Sequence, residues 1–275
     1  MRQTALEIDL GRLKRNYLRL AERARGADLL ALLKSDAYGH GFSSIAKSLE
    51  ALPPSSRLHG YGVTNVEEGI ELRKIGVKRP IYVLSGIQNY DSDLHRCLQT
   101  VRLTPVISSM RTLRDLVKVA GSGSSPWKVH LKFNTGMNRL GIEPMELPDC
   151  LKILGKVRGI EVHGIMSHFA AGEKPSSETT KKQVREFRSL VERLRDQGIH
   201  PRYLHMANSS GLASHLYPEG NLVRVGIHLY GMDDPDLQPV ARWVAQVYQV
   251  RDLKKGDGVG YGPHFRADRK STRLN

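Results

Sequence analysis

Short apolar runs recur eight times along this chain, and amphipathic helical patterns fill the intervals. The runs are Leu29–Leu33, Gly60–Val63, Ile81–Leu84, Leu103–Ile107, Lys128–Phe133, Glu161–Met166, Tyr203–Met206 and Leu222–Val225. Strand and helix in alternation predict a parallel sheet, because parallel neighbours need a long crossover between them. Eight units favour closure into a (β/α)8 TIM barrel over an open doubly wound sheet. No G-x-G-x-x-G opens the first unit, which counts against a dinucleotide-binding sheet.

The ends of the helices are legible too. In EIDLGRLKRNYLRLAERARG a short strand leads to Asp9, a helix cap, and Leu13, Tyr17, Leu20 and Ala24 share one face. The longest helical pattern, SETTKKQVREFRSLVERLRDQG, is closed by Gly198. After the eighth unit the pattern changes. VAQVYQV alternates like a half-buried antiparallel strand, and KKGDG reads as a turn. The expected organisation is an N-terminal strand at 1–10, a barrel at 11–235, the start of a β domain at 236–267 and a tail at 268–275.

Composition excludes several classes. No apolar run reaches eighteen residues, so no membrane partner is expected. MRQTALEIDL lacks the apolar stretch of a secretory signal, and the two cysteines, Cys97 and Cys150, make no metal or disulfide framework. Both points favour a reduced, cytoplasmic setting. The net charge of +14 raises nucleic acid as a partner. The basic residues are scattered, however, with no helix-turn-helix, zinc or RNA-binding signature. A basic surface around an anion-using site is the preferred reading.

In a barrel, chemistry sits on the loops that follow the strand C-termini. Lys34 ends the first strand. A lysine there either snorkels to water or, desolvated, offers a neutral amine that condenses with an aldehyde such as that of pyridoxal phosphate. A phosphate needs donors, which barrels often supply after strands seven and eight. Asn208, Ser209 and Ser210 open a helix after strand seven, and Gly226 follows strand eight. Tyr38 could add its hydroxyl. Arg224 interrupts an apolar strand and needs an acceptor: a pyridine nitrogen or a core carboxylate. Facing a pyridine nitrogen, it would not keep that nitrogen protonated, which weakens the ring as an electron sink. Arg139 lies in a glycine-bounded loop after strand five, suited to a substrate carboxylate or a phenolic oxygen. His168 follows strand six and could bridge Arg224 to a second base. His205 could support Arg224 from behind.

Taken in order, LLKSDAYGHG, KFNTGMNRLGI, GIMSHFAAGE, HMANSSGLASH, VRVGIHLYG and VGYG resemble the alanine racemase family over almost the whole chain. The resemblance implies a cytoplasmic bacterial homodimer that interconverts L- and D-alanine with pyridoxal 5'-phosphate and supplies peptidoglycan. By that likeness Lys34 carries the cofactor. Tyr38, Asn208, Ser209, Gly226 and the backbone of Ile227 hold its phosphate. Arg224 faces the pyridine nitrogen, with His205 behind it, and Arg139 and His168 surround the ring. Tyr261 of VGYG matches the second base, which enters the partner's site. No metal is implied.

Two departures stand out. Lys132 matches a lysine that is carbamylated in many relatives, whereas Asn134 replaces a usual acid and weakens charge pairing in that loop. The chain also ends soon after VGYG, on DRKSTRLN, which reads like an in-frame sequencing adapter. A gene cut short, with impaired activity, is the expectation. Other readings are a racemase for serine or lysine, a non-catalytic barrel for vitamin B6 homeostasis, and a basic nucleic-acid module.

Overall fold

In the computed structural model, residues 4–85, 87, 89–120, 126–216, 220–268 and 271–274 are described. Strand β1 (Thr4–Ile8) leads into helix α1 (Leu10–Arg23). Asp9 caps that helix by accepting from the Arg12 N–H, and Leu13, Tyr17, Leu20 and Ala24 are all fully buried. The helix therefore starts where its first free N–H finds an acceptor, and it packs along its one apolar face.

Eight strands follow: β2 (Asp28–Leu32), β3 (Leu58–Val63), β4 (Ile81–Val83), β5 (Leu103–Ile107), β6 (Trp127–Lys132), β7 (Ile160–Met166), β8 (Tyr203–His205) and β9 (Leu222–Val225). Every ladder between them is parallel, in the order β8-β7-β6-β5-β4-β3-β2-β9. Between the two ends of that order, the Asn221 N–H donates to the Leu204 carbonyl at 3.1 Å, and the Arg224 N–H donates to the Ala207 carbonyl at 3.1 Å. These two bonds bring the sheet round into the (β/α)8 barrel that the alternation predicts. Among the described residues, seven further helices cover it: α2 (Phe42–Glu50), α3 (Val66–Lys74), α4 (Ser92–Thr100), α5 (Met110–Ala120), α6 (Leu147–Leu154), α7 (Glu178–Asp196) and α8 (Ser209–Ala213). Gly198 takes φ +74° just beyond α7 and donates to the Arg195 carbonyl, so the long helix ends as its sequence indicates.

Residues alternate between the barrel interior and the helix layer. Leu30, Leu32, Tyr82, Tyr203 and Leu222 pack together inside. Arg224 stands two residues beyond Leu222 on β9, on the same side of the strand. The interior also holds His130 and His205, both without solvent exposure.

The chain separates into two units, Asp9–Val240 and a smaller one made of residues 1–8 and 241–275. In the smaller unit β1 pairs antiparallel with β10 (Ala241–Ala245), and Arg242 meets Glu7 in an exposed ion pair. Strand β11 (Val250–Leu253) pairs with β14 (Ser271–Leu274), and β12 (Gly258–Val259) with β13 (Phe265–Arg266). KKGDG is the expected turn, with the Asp257 N–H on the Lys254 carbonyl. VAQVYQV is not one strand. It is divided between the end of β10 and the start of β11, and residues 246–249 join neither ladder. Val247 and Tyr248 are about half exposed or more, so no buried face enforces the alternation. In the expected tail, Arg269, Lys270 and Asn275 lie outside the described residues. Among the described residues no helix is long and apolar enough to cross a membrane.

Candidate active site

The loops at the C-terminal ends of the strands enclose a cavity of about 280 Å³. It is lined by Leu32, Lys34, Thr64, Leu84, Ser85, Lys132, Arg139, Leu140, Met166, His168 and Arg224. Four of these side chains are cationic and none is a carboxylate. A wall of that kind selects an anionic or electron-rich occupant.

Lys34 reaches the cavity from an unusual backbone. Ser35, Asp36, Ala37 and Tyr38 all take left-handed conformations, with φ between 50° and 57°. The glycine pattern around Lys34 predicts a turn there, but not this one, because none of the four is glycine or asparagine. Left-handed geometry costs an L-residue roughly 1–2 kcal/mol, so neighbouring bonds must hold the segment. The Ala37 N–H donates to the Leu33 carbonyl at 2.9 Å, and the Phe42 N–H donates to Asp36 Oδ1 at 2.8 Å. His40 donates through Nδ1 towards the carbonyls of Ala37 and Tyr38, and its ring stacks on Tyr230 at 4.5 Å.

The left-handed turn carries Tyr38 to the loops after β8 and β9. Asn208 caps α8 with its side chain on the Gly211 N–H at 2.9 Å. The next residue, Ser209, accepts from the Gly226 N–H at 2.9 Å, which ties the two loops together. A Cβ on Gly226 would lie 2.4 Å from the Tyr38 hydroxyl oxygen. Ile227 opens a short helical turn, where the N–H has no partner within the turn. A phenol, a serine hydroxyl and the Ile227 N–H therefore converge where an added Cβ at Gly226 would displace the Tyr38 hydroxyl.

Arg224 is almost fully buried. Its Nη1 donates to the His205 carbonyl at 2.7 Å and to His205 Nδ1 at 3.1 Å. Its Nη2 donates to the carbonyls of Ser167 (2.8 Å) and Met206 (3.2 Å), and to His168 Nδ1 (3.1 Å). All five acceptors are neutral. The core-carboxylate alternative for this arginine is thus not what the fold supplies. Burial lowers the guanidinium to about 10. Behind it, His205 Nε2 meets His130 Nδ1 at 2.8 Å. Sequence reasoning missed His130; its only signal was a polar residue inside the apolar run of β6. Burial, then Arg224, lowers His168 to about 3.

Lys132 ends β6 inside the same cavity. Burial, and then the charges of Arg224, Arg139 and Lys34, bring its ammonium down to about 8. The following loop brings Arg139 to the cavity wall. Asn134 organises that loop: Oδ1 accepts from the N–H groups of Gly136 (3.1 Å) and Asn138 (3.0 Å), while Nδ2 donates to Asn138 and Glu143. At Gly141, φ is +146°, and a Cβ would sit 2.4 Å from the Asn134 nitrogen, so the loop can close only with glycine.

Lys34, Lys132, Arg139, His168 and Arg224 line one cavity. Tyr38, Ser209 and Gly226 meet one another, and Asn208 and Ile227 flank them along the chain. Tyr261 belongs to the smaller unit, between β12 and β13, and is fully exposed.

With that geometry established, likeness to known proteins is informative. The family described as "Alanine racemase, N-terminal domain" matches residues 8–234. A protein of Citrifermentans bemidjiense named alanine racemase is 35% identical, over 96% of this chain and 71% of its own length. Among solved structures, alanine racemase from the D-cycloserine producer Streptomyces lavendulae superposes with a TM-score of 0.85 at 25% identity, covering 99% of this chain and 72% of that one. Alanine racemase from Bartonella henselae, solved with covalently bound pyridoxal phosphate, gives 0.82 at 27% identity, covering 100% and 75%. The chain belongs to the alanine racemase family.

Proposed function

We propose that the barrel binds pyridoxal 5'-phosphate on Lys34 and that the enzyme interconverts L- and D-alanine by two-base proton transfer. The observation that carries this reading is the pairing of two features. One is a cavity lined by four cations and no carboxylate. The other is the adjoining convergence of Tyr38, Ser209 and Gly226, where a Cβ would collide with the Tyr38 hydroxyl. Phosphate fits such a place, since hydroxyl and backbone N–H donors can surround its oxygens. The B. henselae relative with covalently bound pyridoxal phosphate supports the same cofactor. When bound, the cofactor supplies an electron sink that makes an amino acid's α-proton removable.

The chain's own groups have distinct tasks in this reading. Tyr38, Ser209, Gly226 and the Ile227 backbone hold the phosphate, and Asn208 fixes the start of the helix that presents Ser209. Arg224 faces the pyridine nitrogen. Its five acceptors are neutral, so its uncompensated charge would disfavour protonation of that nitrogen. His168, held neutral by burial and Arg224, stays an acceptor at Nδ1 and keeps the guanidinium in plane. Arg139 takes the substrate carboxylate or the cofactor's phenolic oxygen. Lys132 would add positive charge to the same cavity wall.

Inversion requires a proton to leave one face of the α-carbon and another to arrive at the opposite face. Lys34 Nζ serves one face. Tyr261 Oη of a second copy serves the other, so the working unit is a homodimer in which the smaller unit supplies Tyr261 to its partner's barrel. We place the barrel domain at 11–235 and the start of the β domain at 236–267. The D-alanine formed would supply peptidoglycan in a bacterial cytoplasm.

Incubation with pyridoxal phosphate and L-alanine in deuterium oxide tests this reading. α-Deuterium should appear, together with D-alanine, and neither should appear with Lys34→Ala. Exchange of serine or lysine but not alanine would assign the site to another substrate. No exchange of any amino acid would remove the racemase assignment from this chain.

A further inference from the structure

The residue after Lys34 has a bond that neither its own turn nor the sheet provides. Beyond a register shift between Leu29 and Leu30, the β2–β3 pairing runs on to Leu33, whose N–H donates to the Gly62 carbonyl at 2.9 Å. Two residues further the chain turns left-handed at Ser35, φ 53°, and the ladder stops. The Ser35 N–H donates instead to Glu68 Oε1 at 2.7 Å. The other oxygen, Glu68 Oε2, accepts the Thr64 N–H at 2.6 Å, at the end of β3. One carboxylate thus bridges the C-terminal rims of two adjacent strands and grips the peptide on the far side of Lys34.

Glu68 is itself firmly placed. It lies in the first turn of α3, where its own N–H donates to Asn65 Oδ1, the helix cap, at 2.9 Å. Thr64 and Lys34 both line the cavity. Its neighbour Glu67 is exposed. An acidic residue in the first turn of a helix is ordinary. One whose two oxygens both take backbone N–H groups from strand ends, rather than from its own helix, is not.

We infer that Glu68 is a positioning residue for Lys34: by accepting the Ser35 and Thr64 N–H groups it holds the left-handed turn that aims the Lys34 amine into the cavity. The inference rests on Lys34 as the cofactor's attachment point. It predicts that attachment, rather than phosphate capture, depends on this carboxylate. Gln at this position keeps the size but replaces one acceptor oxygen with an N–H2 that faces a donor.

Three measurements on the 275-residue chain decide it. Residue-resolved hydrogen exchange of the unaltered protein should show the Ser35 amide at least tenfold slower than an unprotected chain, although Ser35 is exposed and outside any ladder. In Glu68→Gln, stopped-flow absorbance should show pyridoxal phosphate attaching at least tenfold more slowly. Pyridoxine 5'-phosphate, which has no aldehyde and reports the non-covalent contacts alone, should bind within twofold of the unaltered protein. Glu67→Gln should change none of these. Free exchange at Ser35 in the unaltered protein overturns the inference, even where Glu68→Gln does not fold. Attachment at the normal rate in Glu68→Gln also overturns it. A parallel loss of pyridoxine phosphate binding would reduce Glu68 to a general structural role. Failure of the unaltered protein to take up pyridoxal phosphate would instead count against Lys34 as the attachment point.

Discussion

Arg224 Nη1 lies 3.1 Å from Nδ1 of His205, and that contact dictates proton positions on two imidazoles. A guanidinium only donates, so His205 Nδ1 must be bare and its proton must sit on Nε2. That Nε2–H then donates to His130 Nδ1 at 2.8 Å, which leaves His130 protonated on Nε2. The same logic through Arg224 Nη2 leaves His168 Nδ1 bare. Imidazole 15N shifts should show neutral rings at pH 7, with bare Nδ1 in all three. A protonated Nδ1 on His205 would contradict the arrangement.

These histidines also set the acid limit of the fold. His168 is held near 3 and His205 well below its ordinary value by burial and positive neighbours. A depressed histidine contributes stability that is present above about 6.5, where both states are neutral. That stability is lost as the pH falls towards the folded value, because the unfolded chain takes up protons first. The unloaded protein should lose on the order of 1.4 kcal/mol per pH unit per histidine in that window. Denaturant midpoints between pH 6.5 and 4 should fall less steeply for His168→Phe.

Lys132 gives a slope of the same sign in a more alkaline window. Its folded value of about 8 lies below the ordinary 10.5. Below pH 8 the amine is charged in both states and the burial penalty is complete. Between 8 and 10.5 the folded protein releases the proton first, so stability rises with pH. Lys132→Met should therefore stabilise the unloaded protein by about 1–3 kcal/mol at pH 7, with the difference shrinking by pH 10.5. Urea midpoints at the two pH values measure it.

Gly164 and Gly226 isolate packing from chemistry. A Cβ on Gly164 would meet three atoms of the His130 ring at 2.5–2.7 Å, inside the barrel. Gly164→Ala should cost about 1–3 kcal/mol by overpacking, read from the denaturant midpoint. Gly226 has no positive φ, and its added Cβ meets the Tyr38 hydroxyl. Gly226→Ala should fold normally and bind pyridoxine 5'-phosphate at least tenfold more weakly. Unchanged affinity would move the phosphate elsewhere.

The barrel was legible because its signals are local and repeated. Each apolar run appears as a strand within about two residues, and Asp9 and Gly198 bound their helices as read. Lys34 and Arg224 were legible as charges that interrupt apolar runs. The left-handed turn after Lys34 was hidden, because only Asp36 of its four residues favours that geometry and hydrogen bonds, including one from the distant Glu68, impose it. His130 was hidden for a related reason: a histidine within an apolar run declares burial but not its partner. The 246–249 segment misled because alternation specifies a strand only when one face has something to pack against.

The central claim is that one particular amine holds the cofactor, and the cavity contains its own competitor. Lys132 lines the same walls and, at about 8, is more easily deprotonated than an ordinary lysine, with roughly a tenth of it neutral at pH 7. Borohydride reduction of the chain loaded with pyridoxal phosphate, followed by peptide mass mapping, distinguishes them. The account predicts the phosphopyridoxyl adduct on Lys34, in the peptide containing SDAYGHG. An adduct on Lys132 or on any other lysine, with Lys34 unmodified, would contradict it.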